Sequence, residues 1–134
     1  MEKDQTLRGN ESIEKSIIKF KKSMTDENLT HTLSLLRKRM KEKGHFVVAV
    51  KMAASGNMEL RTVKTQDGKE WFAVFTSFEE QNNGGDNIKS TFTAEMEQVF
   101  QICFQSPNVE GILLNPWNLS LKMDKTIISI IMGV

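Results

Sequence analysis

Between residues 13 and 40 the apolar positions recur at helical spacing. Ile13, Ile17, Phe20 and Met24 stand four, three and four residues apart, which predicts a helix with one narrow apolar stripe. Asn10 is the expected cap, with Glu11 and Glu14 placed near the positive end of the helix dipole. Leu29, Leu33, Leu36 and Met40 repeat the spacing, so a second helix is expected to start after Thr25 or Asp26 and to close in a left-handed turn at Gly44. The pattern then changes. His45 to Met52 is rich in β-branched residues and apolar on both alternating faces, as an interior strand requires.

Leu60–Gln66 and Lys69–Phe75 flank Asp67-Gly68, a pair that favours the positive φ of a tight hairpin turn. Ser77 and Glu80 stand three apart, the spacing of a capping box, and predict a short helix ending near Asn82-Asn83-Gly84-Gly85. Ile88–Phe92 reads as an edge strand. Thr93 is the expected cap of a helix whose Met96, Val99, Phe100 and Cys103 form a stripe, with Ser106-Pro107 stopping it. Gly111–Asn115 is a short apolar strand that must end at Pro116, because proline has no N–H for a sheet and pushes the preceding residue out of the helical region. Trp117 marks that corner. Leu119–Met123 and a last helix capped by Asp124 complete the chain. The sum is an α+β fold: a mixed, largely antiparallel sheet with helices packed on it. Residues 1–25 form the N-terminal amphipathic helix and 26–134 the α+β domain, one domain overall.

Composition narrows the partners. A chain of 134 residues suits one domain with one core. A net charge of +1 argues against a nucleic-acid partner, which selects a basic excess. Met1 to Asn10 carries no apolar core of a secretory signal, and no apolar run reaches the roughly 18–20 residues of a membrane span. The single cysteine, Cys103, has no partner within the chain for a disulfide and fits a reducing compartment, so a cytoplasmic protein is expected.

The candidate chemistry is sparse. His31, His45 and Cys103 are the soft metal ligands, and no two stand at the short spacings of zinc sites, so neither metal nor cofactor is expected. Ser77 lies between a strand and a helix, as in a nucleophile elbow, but lacks the flanking glycines that permit so tight a turn. Gly84-Gly85-Asp86 has no phosphate-loop lysine. Glu79-Glu80 and Glu95/Glu97 lie at helix starts, where the dipole favours them without catalysis. Arg37-Lys38-Arg39 with Lys41 and Lys43 reads as a solvated basic face at a helix C-terminus, and the first helix has too little apolar bulk for a membrane surface.

Two stretches carry a family resemblance. Phe75-Thr76-Ser77-Phe78, where a strand turns into a helix, and Gly111-Ile112-Leu113-Leu114-Asn115-Pro116-Trp117, followed by Leu119-Ser120-Leu121 and Ile127–Ile131, resemble the N-terminal domain of the SseB family, the enhanced serine sensitivity proteins. The resemblance implies a mixed α+β domain and transfers no catalytic residue. The function expected is therefore non-enzymatic: a regulatory or secretion-linked accessory that binds a protein or peptide through Phe75, Thr76, Ser77, Phe78, Asn115, Pro116 and Trp117. Plain core packing is the competing account of Phe75, Phe78 and Trp117. Five of the six residues from Ile127 to Met132 are apolar, which a small domain has trouble covering, so Ile127, Ile128, Ile131 and Met132 form a candidate interface with a second copy or another protein. The alternative class is a small-ligand protein or enzyme whose site has no sequence signature; a deep polar pocket would favour it, an apolar groove the binding module.

Overall fold

The computed structural model describes residues 7–52, 54–56, 58–78, 90–116 and 120–133. In chain order the elements are helices α1 (Asn10–Lys22) and α2 (Asp26–Lys41), then strands β1 (His45–Met52), β2 (Met58–Leu60), β3 (Thr62–Lys64), β4 (Glu70–Phe75) and β5 (Ser90–Glu95). Helix α3 (Met96–Phe104), strands β6 (Gly111–Leu114) and β7 (Leu121–Asp124) and helix α4 (Lys125–Met132) follow. No helix among the described residues is long and apolar enough to cross a membrane.

The strands form one mixed sheet, as the alternation predicts. β1 is interior: antiparallel β5 pairs with it from His45 to Val50, and β4 pairs with it antiparallel at Val47 and Val48. β2 and β3 fill the fork where β1 and β4 diverge, since β2 pairs with β1 and β3 with β4. Arg61 joins the two branches: its N–H donates to the Ala49 carbonyl (2.9 Å) and its carbonyl accepts from Ala73 N–H (3.1 Å). β4 pairs in parallel with β6, and β6 antiparallel with β7. That parallel pair sets the position of the candidate site.

The Asp67-Gly68 hairpin forms as expected, with Gly68 at φ 85°. The Thr65 hydroxyl donates to the Asp67 carboxylate, and Lys69 N–H donates to it at 3.1 Å. These bonds, Thr65's first, hold the Asp67 carboxyl below its ordinary value. A carboxyl depressed in the folded state stabilises above its unfolded pKa, and that contribution fades as pH falls through the folded value.

The four helices described above pack on one sheet face. Ile13, Ile17, Leu36, Phe46, Val48, Val74, Met96, Phe100, Ile112, Leu114, Met123 and Ile128 are fully buried there, with the Phe46 and Phe100 rings edge to face at 5.7 Å. Val47, Ala49, Ala73 and Phe75 point to the other face and are buried with Leu7 and Val63 against them. The two-sided burial of β1 is what its unbroken apolar run requires.

Thr25 and Asp124 cap α2 and α4 as the sequence predicts, accepting from Asn28 N–H (3.1 Å) and Ile127 N–H (2.9 Å). Other local expectations are corrected. Asn10 is the first residue of α1 instead of its cap; Gly9 takes the cap position at φ 95° and has no side chain to accept from the first turn. Met24 lies beyond the end of α1 and is 69% exposed. The left-handed residue after α2 is Lys43 (φ 64°), not Gly44. Thr93 sits inside β5 opposite Val47, and α3 follows that strand directly at Met96, whose N–H donates to the Gly44 carbonyl at 2.9 Å. Glu80, Gly84 and Gly85, Ile88 and Leu119 lie outside the described residues.

Candidate functional site

Because β4 and β6 run parallel in adjacent positions, both end on the same edge of the sheet. The two turns singled out by sequence are therefore neighbours. Asn115 N–H donates to the Val74 carbonyl at 2.8 Å, carrying the ladder one residue beyond β6. Asn115 then takes φ 53°, the left-handed conformation, and so stays out of the right-handed helical region that the following Pro116 disfavours. A short polar side chain is among the few that tolerate that φ, and Asn115 uses its own to bond Thr76, the residue after β4. Its Oδ1 accepts from Thr76 N–H (3.0 Å), and its Nδ2 donates to Thr76 Oγ1 (3.1 Å). The Thr76 hydroxyl donates in turn to the Glu14 carboxylate on α1.

The network continues under α1. Asn10 Nδ2 donates to the carbonyls of Thr76 (3.0 Å) and His45 (2.8 Å), while Asn10 Oδ1 accepts from Arg39 Nε (3.2 Å). Asn10, Thr76 and Asn115 are all buried, so each of these bonds satisfies a group that water does not reach. Arg39 also pairs with Glu42 at 3.2 Å. It threads so close to Gly44 that a Cβ there would stand 2.8 Å from both the Arg39 carbonyl oxygen and Nη2. Gly44 is therefore a matter of room.

The expected binding residues divide. Phe75 is fully buried on the second sheet face, which corrects its assignment as an anchor: strand alternation points it into the core. Thr76 and Asn115 are buried clamp residues. Ser77 and Pro116 are half-buried and Phe78 is 38% exposed, so the outward surface of this edge is built from these three. Trp117 lies outside the described residues. Asn10, Glu14 and Arg39 were missed by sequence reasoning. One signal was available: Asn10 falls three residues before Ile13 and seven before Ile17, a polar side chain on the apolar stripe.

The last helix is corrected in the same way. Ile128 and Ile131 are buried in this chain's own core, and Ile127 and Met132 pack partly against it. The outward isoleucine is Ile130, 52% exposed. It borders a groove of about 760 Å³ between α2 and α4 whose floor includes Leu29, Leu33, Ile127 and Ile131. Arg37 is more than a solvated cation, because its Nε donates to the Ile131 carbonyl (2.9 Å) and its Nη2 to that of Ile130, closing the C-terminus of α4.

Among the described residues no three His, Cys, Asp or Glu side chains gather as a metal-holding group. Among the described residues the buried Nδ1 of His45 finds no hydrogen-bond partner. Burial pushes the Cys103 thiol up to about 11, leaving it protonated and a poor nucleophile. Native Cys103 is accordingly expected to resist alkylation by iodoacetamide at neutral pH and to react when the chain is unfolded in urea; labelling at equal rates in both states would contradict its place on the buried face of α3.

A family model described as the SseB protein N-terminal domain matches residues 19–129, from the second half of α1 into α4. No curated protein and no solved structure matches the chain. The match covers most of the 134 residues, and the chain belongs to the SseB family.

Proposed function

We propose that this SseB-family domain is a non-enzymatic, cytoplasmic module of the regulatory or secretion-linked kind that binds a protein or peptide at the paired ends of β4 and β6. One observation carries the reading: the polar atoms of Thr76 and Asn115 are bonded to each other and to α1, while Phe78 and Pro116 stand outward on that fixed base. A partner there meets an aromatic and a proline whose support is already ordered, which lowers the entropic cost of binding. Aromatic residues on such a base are the usual anchors of an interface. The same bonding works against a reaction at this edge, since the Thr76 hydroxyl is buried and committed to Glu14.

The test is selection of a displayed peptide library against the full chain, followed by calorimetry with the selected peptides. Phe78→Ala is expected to weaken binding by about tenfold or more and to leave the thermal midpoint within a degree or two, because the ring is partly in solvent. Peptides that bind the Phe78→Ala chain as tightly as the parent, or a selection that yields none, would overturn the assignment.

A further inference from the structure

The α2/α4 groove has charges at its two ends and an apolar middle. At one end stands Asp26, in the first turn of α2; at the other stand Lys38 and Lys41 in its last turn. These positions are twelve and fifteen residues apart, or ~18–22 Å along a helix. Among the described residues no carboxylate pairs with Lys38 or Lys41 and no cation with Asp26, whereas nearby Glu42 is engaged by Arg39. Between the ends, the groove side of α2 carries Thr30 and Ser34, short side chains that let another helix approach closely. The floor supplies a hole, Leu29 and Leu33, and the rim supplies a knob, Ile130.

A patch that is acidic at one end, basic at the other, and holds both knob and hole is complementary to itself. A partner with only acidic flanks would match the lysines and meet Asp26 with like charge; a basic one would do the reverse. A two-fold axis through the middle of α2 matches both ends at once, because a two-fold interface sets residue i against j and j against i. It also runs the two α2 dipoles antiparallel. We propose that the chain forms a two-fold dimer through this groove, with Ile130 of each copy seated on Leu29 and Leu33 of the other and Asp26 of each facing Lys38 and Lys41 of the other. This surface is separate from the β4/β6 edge, so either assignment stands without the other.

Sedimentation equilibrium on the full chain, from micromolar to millimolar concentration, tests it. The parent chain is expected to show a reversible monomer–dimer equilibrium that weakens with added salt. Ile130→Lys should give a monomer with unchanged circular dichroism, since that side chain is half in solvent. Asp26→Lys alone and Lys38→Glu/Lys41→Glu alone should each weaken the dimer by roughly tenfold or more, and an equimolar mixture of the two should recover parental affinity, because each heterodimer regains opposite charges at both ends. A parent chain that stays monomeric throughout, a dimer indifferent to Ile130→Lys, or a mixture no tighter than its components would overturn the proposal.

Discussion

Gly111→Ala is expected to destabilise the chain by about 3 kcal/mol or more, the upper range for forcing atoms into a closed site. Gly111 opens β6 opposite Asp124 of β7. A Cβ there would overlap the Met123 carbonyl oxygen and lie 2.8 Å from the Asp124 Cα and 2.9 Å from the Met123 carbonyl carbon. These are backbone atoms of a paired strand, so no rotamer change clears them. β7 would have to move, and with it Asp124, whose carboxylate caps α4. Gly68→Ala is the control. Gly68 has φ 85° and open space around it, so its cost is the left-handed penalty alone, ~1–2 kcal/mol. Urea melts of both variants decide the matter; a Gly111→Ala chain no less stable than Gly68→Ala would mean that β6 and β7 do not approach as described.

The sequence was most legible where structure is local. The Thr25 and Asp124 caps, the Asp67-Gly68 turn and the Met96, Val99, Phe100, Cys103 stripe each depend on residues within a turn or two of one another. Thr93 shows how the same rule fails. A threonine before an apolar run looks like a cap, but pairing with Val47, forty-six residues away, keeps it in β5. Asn10 fails for the same reason, since its partners lie on β1 and beyond β4. A polar residue ahead of a stripe looks alike whether it bonds its own helix or reaches across to a strand.

Thr76 and Asn115 were both chosen from sequence, and the structure does join the turns that hold them. The junction depends on β4 and β6 being parallel neighbours, Val74 opposite Leu114, with β5 and α3 between them in the chain. No local spacing encodes that pairing. The role of the two residues differs from the expectation accordingly: they hold the edge together from inside, and the outward side chains beside them form the surface.

Asn115→Ala is the second large effect, expected at about 3 kcal/mol. Removing Oδ1 leaves the buried Thr76 N–H without its acceptor, at ~1–3 kcal/mol, and alanine at φ 53° adds the left-handed penalty of ~1–2 kcal/mol. Asn115→Gly removes the second cost and keeps the first, so its stability should fall between the parent and the alanine variant. Thr76→Val keeps the shape but deletes the hydroxyl that receives Asn115 Nδ2 and donates to Glu14. If the clamp is one unit, Asn115→Ala and Thr76→Val share part of their cost, and the double variant should lose less than the sum by about 1 kcal/mol. The clamp also fixes the base of Phe78. Asn115→Gly, folded but with the two turns uncoupled, should therefore bind selected peptides more weakly although Phe78 is intact, whereas additive stabilities together with parental affinity would show that the turns lie side by side without holding each other.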